Sequence, residues 1–138
     1  MTIQQWLVDY LRTAGAVAGT VHLRESDGLR LCAASNIPEP VQALVSWVPR
    51  GKGMAGLALA SGEPVQTCNL KDDSSGQVRP GAKAVNAGAA IAMPVRDSQG
   101  AIAAVVGVAF AEKREIPQAE VSRLSNEAAT LIPLLVCS

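Results

Sequence analysis

The apolar positions of this chain change period several times, and each change marks an element. Between residues 3 and 12, Ile3, Trp6, Leu7, Tyr10 and Leu11 recur at spacings of three and four. That spacing predicts an amphipathic helix, with Thr2 as its N-cap. From Val17 the period drops to two. Val17, Gly19, Val21 and Leu23 alternate with Ala18, Thr20, His22 and Arg24, the pattern of a strand. Ser26-Asp27-Gly28 is a turn signal, after which Leu29, Leu31 and Ala33 resume the alternation, so the two strands form a hairpin.

Pro38 and Pro40 open a short helix with Val41, Leu44, Val45 and Val48 on one side. A glycine segment leads into a second short helix that Gly62 ends, and Pro64 sets the backbone for a strand over 65–70. Residues 71–88 form a polar loop, long enough in so small a domain to act as a ligand-ordered lid. Two strong strands follow over 89–96 and 101–110, joined by Asp97-Ser98-Gln99-Gly100. Pro117 starts a closing helix on which Val121, Leu124, Ala128, Leu131 and Leu135 make an apolar stripe, and Pro133 should kink or end it near Thr130. Hairpins rather than crossovers join most strands. The fold class is therefore α+β with a mostly antiparallel sheet, in a single domain over 1–138. The stripes of the first and last helices exceed what one sheet face requires, which predicts a homodimer through the terminal helices.

Composition removes several function classes. Apolar residues make up 49% of the chain and aromatics only 3%, so few rings are present to stack nucleobases. Lys+Arg and Asp+Glu are both 12, which leaves no basic field for nucleic acid or a membrane surface. Cys32, Cys68 and Cys137 are far apart and His22 is the single histidine, so neither a metal site nor a cofactor is expected. Reduced thiols in a cytosol are the default. The start of the chain lacks the basic flank and apolar run of a signal peptide, and the most apolar window, 101–111, is about half the ~20 residues of a membrane helix. A soluble, cytoplasmic protein is expected.

The glycine segment carries the candidate chemistry. Gly51, Gly53 and Gly56 fit G-x-G-x-x-G, but a helix precedes them and no βαβ unit surrounds them, so a dinucleotide site is a poor reading. Glycines at a helix entrance let a ligand approach the backbone, and the first N–H groups there have no partner within the helix. The amides of Gly53, Met54 and Ala55 are thus candidate donors to a small polar or anionic ligand. Thr20 and His22, with Ala18, would form one wall. His22 is read as a donor to an anion or a ligand to heme iron, against the plainer role of satisfying a backbone carbonyl. Trp47, placed on the helix before the glycines, would cap the pocket with its ring and indole N–H, or else pack in the core. Arg50 and Lys52 add positive potential at the mouth or are simply solvated. Cys68, at the end of the short strand, is either a thiol at the site or a small buried apolar residue. Ala101, Ala103, Gly107 and Ala109 share one strand face, and such small residues either admit a helix closely or leave room for a ligand.

These residues together resemble the GAF domain family, a PAS-related fold. The resemblance rests on P-x-G-x-G-x-x-G over 49–56 with Ser61-Gly62-Glu63-Pro64-Val65 after it. Ile91-Ala92-Met93-Pro94-Val95, a turn, then Ala103, Val105, Gly107 and Val108 and the closing helix complete it. It implies a central sheet of five to six strands, terminal helices on one face, and short helices with a ligand pocket on the other. It further implies a sensory or regulatory module that signals through a partner protein such as a kinase. Asn69-Leu70-Lys71-Asp72-Asp73 lacks the Phe of the cyclic-nucleotide branch, and no cysteine adjoins His22 as the bilin branch requires. The free methionine sulfoxide reductase branch needs cysteines near the glycines, where Met54 and Ala55 stand, so a thiol enzyme would have to use Cys68 and Cys32. A single-domain nitrate-receptor branch acting on a partner kinase is compatible with the glycine segment. The remaining alternative is a ligand-free dimerisation module, its pocket filled by Leu57, Ile91 and Met93.

Overall fold

The computed structural model describes residues 1–67 and 88–136. The first helix, α1 (Ile3–Ala14), opens with a capping box. Thr2 Oγ1 accepts from the Gln5 N–H at 3.1 Å while the Gln5 side chain accepts from the Thr2 N–H at 2.9 Å. The hairpin β1 (Ala18–Glu25) and β2 (Gly28–Ser35) follows, then α2 (Glu39–Leu44), β3 (Trp47–Pro49), α3 (Gly53–Ser61) and β4 (Val65–Thr67). Strands β5 (Ala89–Arg96) and β6 (Ile102–Phe110) form the second hairpin. The Asp97 carboxylate shapes its turn by accepting from the N–H groups of Gln99 and Ala101. Helix α4 (Gln118–Ala128) passes through a 3₁₀ turn (Ala129–Leu131) into α5 (Ile132–Val136), so the helix breaks where Pro133 predicts.

The six strands make one antiparallel sheet in the order β3-β2-β1-β6-β5-β4. The expected sheet and its two-sided cover are therefore present. One correction concerns β3. The helix expected to run on to Val48 stops at Leu44, and Trp47–Pro49 pairs with Gly28, Leu29 and Arg30 at the sheet edge. Three residues are too few to set a period of two against the helical spacing of Val41, Leu44, Val45 and Val48. The glycine segment accordingly follows a strand after all. That strand is antiparallel, so the parallel unit of a dinucleotide site is still lacking.

Alternation along the strands sorts the side chains into two layers. Val21 on β1, Ile91, Met93 and Val95 on β5, and Ala104, Val106, Val108 and Phe110 on β6 face the terminal helices. They pack there with Trp6, Leu7, Tyr10 and Leu11 of α1 and with Val121, Leu124 and Ala128 of α4. Leu7, Leu124 and Leu131 are fully buried, each contributing about 1.5–3 kcal/mol. The rings of Trp6 and Tyr10 stack with centroids 4.8 Å apart, and the Tyr10 hydroxyl donates to Leu124 O at 2.7 Å. The helical stripes that argued for a dimer are thus consumed within the chain. The exposed large apolar residues left on or beside α1 are Met1, Val8 and Val17. At the far edge, the Gln66 amide holds the backbone of Ile116 by both its N–H and its C=O, at 3.0 and 3.1 Å.

Candidate functional site

The opposite sheet face carries small side chains, and a hollow results. Ala90 and Ala92 of β5 and Gly107 and Ala109 of β6 form its floor beside Thr20 and His22 of β1. Val41 of α2, Val45 just after it and the entrance of α3 cover it in part, leaving a cavity of about 140 Å³. A cavity of roughly 150 Å³ holds a benzene-sized molecule. Of the residues that would have to fill this space in a ligand-free module, Leu57 and Met93 are not in the wall, and Ile91, which borders it, packs with Met93 in the core on the other face.

The α3 entrance is built by its glycines. Gly53 has φ +66°, a conformation that a residue with a Cβ adopts at a cost. A Cβ at Gly56 would lie 2.4 Å from Pro49 O, so glycine there lets the helix press against the end of β3. The Gly51 N–H donates to Gly56 O at 2.8 Å, and the Lys52 N–H to Pro49 O at 3.1 Å. No side chain caps the helix, and the N–H groups of Gly53, Met54 and Ala55 have no partner among the described residues. All three residues line the cavity.

His22 is 3% exposed, and its Nε2 lies 2.8 Å from Val45 O at the end of α2. A carbonyl only accepts, so Nε2 carries the proton and Nδ1 presents a bare lone pair. Nδ1 is buried and unpartnered among the described residues. Burial holds the imidazole below its ordinary pKa, and the hydrogen bond to Val45 only partly opposes that shift, so the ring is neutral near pH 7. This corrects the expectation that His22 donates to an anion. Its one proton is committed to a helix-end carbonyl, the plainer role, and its free nitrogen is an acceptor.

Thr20, His22, Gly53, Met54 and Ala55 thus converge on one cavity, with Lys52 at its border. Trp47 does not join them. It stands on β3, 44% exposed, with its ring against Gly28, where a Cβ would lie 2.3 Å from Trp47 Cζ2. Arg50 is exposed and away from the cavity, and Cys32 is an exposed free thiol on β2, also outside the wall. Cys68 and the expected lid lie in residues 68–87, outside the described residues. Ala90 and Ala92 were missed, although the alternation of β5 against Ile91 and Met93 would have placed them here. The Val45 carbonyl carries no sequence signal, because any residue supplies one.

The sequence matches the family model described as GAF domain over residues 2–132. No relative matches among curated proteins. Several solved structures share the fold. The GAF domain of an Acinetobacter phosphoenolpyruvate-protein phosphotransferase is 14% identical, with 98% of this chain and 80% of that one covered at a TM-score of 0.77. A type II free methionine-R-sulfoxide reductase from Thermoplasma acidophilum is 18% identical, with 96% and 89% covered at 0.74. A Staphylococcus aureus NreA protein mutated in its nitrate-binding site is 16% identical, with 83% and 89% covered at 0.66. At these identities the structures establish the fold alone. The family model spans nearly the whole chain, the sheet and the cavity under α2 and α3 included, and the protein belongs to the GAF domain family.

Proposed function

We propose that this chain is a sensory or regulatory GAF domain that binds a small polar or anionic molecule and passes its occupancy to a partner protein, such as a kinase, without catalysing a reaction. One observation carries this reading. Gly53, Met54 and Ala55, whose N–H groups have no partner among the described residues, line the same apolar cavity as Thr20 and His22. Amide donors without partners at a helix entrance favour a small ligand that accepts from them. The nitrate-binding protein and the reductases of the same fold support a small-molecule role in general. A thiol enzyme is not favoured, since Cys32 lies outside the cavity wall.

Native mass spectrometry of the purified protein tests this reading. A co-purifying small molecule should be retained by the wild type and lost from Ala109→Leu, which fills the floor while leaving the polar groups in place. A bound molecule that survives the filled cavity would refute the placement. The terminal-helix homodimer now rests on the exposed Met1 and Val8 of the first helical face. A monomeric mass by light scattering at tens of micromolar overturns it.

A further inference from the structure

We propose that this protein carries a further binding site, for the phosphate group of a small phosphate monoester, at the end of α3 away from the cavity. The site goes beyond the cavity reading and does not depend on it. Arg24 of β1, Arg50 just after β3 and Arg96 at the end of β5 line one shallow surface hollow, together with Ser61 and Gly62 at the end of α3. The sheet brings the three arginines together although they stand far apart in the chain. Arg24 is opposite Leu29, Leu29 is opposite Val48, and Arg50 lies just beyond. From the other side Arg96 is opposite Ile102, which also lines the hollow.

The charge of this hollow is unbalanced. The chain as a whole carries 12 basic and 12 acidic side chains, yet no carboxylate lines the hollow among the described residues. The acids next to the arginines in sequence are engaged elsewhere. Glu25 pairs with Arg30 at 2.6 Å, and the Asp97 carboxylate accepts from the N–H groups of its own turn. Arg96 is held in place, donating from Nη1 to Gly100 O at 2.8 Å and from Nη2 to Gly62 O at 3.0 Å. The guanidinium groups of Arg24 and Arg50 make no hydrogen bond or ion pair among the described residues. Complementing the carbonyl end of α3 accounts for one cation, and Arg96 already meets that end at Gly62. Three like charges held around one hollow repel one another, and a bound anion relieves that repulsion. A carboxylate would bring one charge and two oxygens. A phosphate monoester brings about 1.5–2 charges and three terminal oxygens, and the arginine fork matches phosphate geometry.

The test titrates methyl phosphate and sodium acetate into the intact ¹⁵N-labelled protein, at constant ionic strength and at a pH above the second phosphate pKa of about 6. NMR follows the amides of Gly62, Arg96 and Gly100 and the arginine side-chain N–H groups. Methyl phosphate should shift these signals saturably and bind roughly tenfold more tightly than acetate. The double variant Arg24→Gln with Arg50→Gln should fold as the wild type does, because these exposed side chains hold no other group. Its affinity for methyl phosphate should fall by roughly tenfold. Equal affinities for the two anions overturn the phosphate site, since charge alone would produce them. Phosphate binding undiminished in the double variant overturns its assignment to these arginines. Absence of a saturable shift in the wild type overturns the proposal, and a lower urea midpoint of the double variant would then assign the arginines to holding the end of α3. Ala109→Leu, which fills the cavity, should leave the phosphate shifts unchanged. Their loss in that variant would place the anion in the cavity and overturn the separate site while leaving the cavity reading intact.

Discussion

Thr20 stands directly across the β1–β6 ladder from Gly107, and a Cβ at Gly107 would lie 3.0 Å from the Thr20 hydroxyl oxygen. The missing side chain keeps that hydroxyl open to the cavity. Gly107→Ala should therefore fold normally, because strand backbone accepts alanine, while pushing Thr20 into the binding space. Retention of the co-purifying small molecule in native mass spectrometry should fall about tenfold, with circular dichroism unchanged. Undiminished retention would show that this floor is not where the molecule sits.

The glycine at the third turn position of the segment has a different role, in packing. Gly56→Ala sets a methyl group 2.4 Å from the Pro49 carbonyl, a backbone atom that moves only if β3 or α3 moves. A loss of about 2–3 kcal/mol is expected in urea unfolding. A loss within experimental error would mean that α3 does not bear on the strand end.

The opposite layer should be separable from the cavity. Tyr10 donates to Leu124 O at 2.7 Å, and burial, with Glu127 adding to it, raises its hydroxyl pKa well above the usual phenol range. Tyr10→Phe should cost about 1 kcal/mol of stability. Retention of the co-purifying small molecule should stay as in the wild type, since the sheet lies between the two. Parallel losses of stability and affinity would contradict that separation.

His22 also makes a prediction about acid. Its folded pKa lies below the unfolded value of 6.5, so the unfolded chain takes up a proton first as the pH falls. Stability is complete above about pH 6.5 and declines below it, with a slope approaching 1.4 kcal/mol per pH unit, until the folded pKa is reached. His22 is the one histidine of the chain, so urea midpoints between pH 7 and 5 isolate it. His22→Gln should flatten the profile. An unchanged slope in that variant would assign the acid loss to carboxylates.

The layers of this protein were legible in its sequence because burial on one face imposes a period, and a period survives in the order of residues. Helix α1 with its Thr2 cap, the two hairpins with their turns, the break before Pro133 and the glycine-led start of α3 all follow from spacing and turn chemistry. The wall positions Thr20, His22, Met54 and Ala55 could be named for the same reason. Strand β3 could not, since three residues carry no period, and with it went the placement of Trp47. Only the tertiary structure decided that the terminal stripes are satisfied by the chain's own sheet, and that the alanine and glycine face of β5 and β6 floors a hollow under α2. It also decided the polarity of His22. A sequence records that an imidazole is present, but which nitrogen keeps the proton depends on a carbonyl that folding brings beside it from 23 residues along the chain.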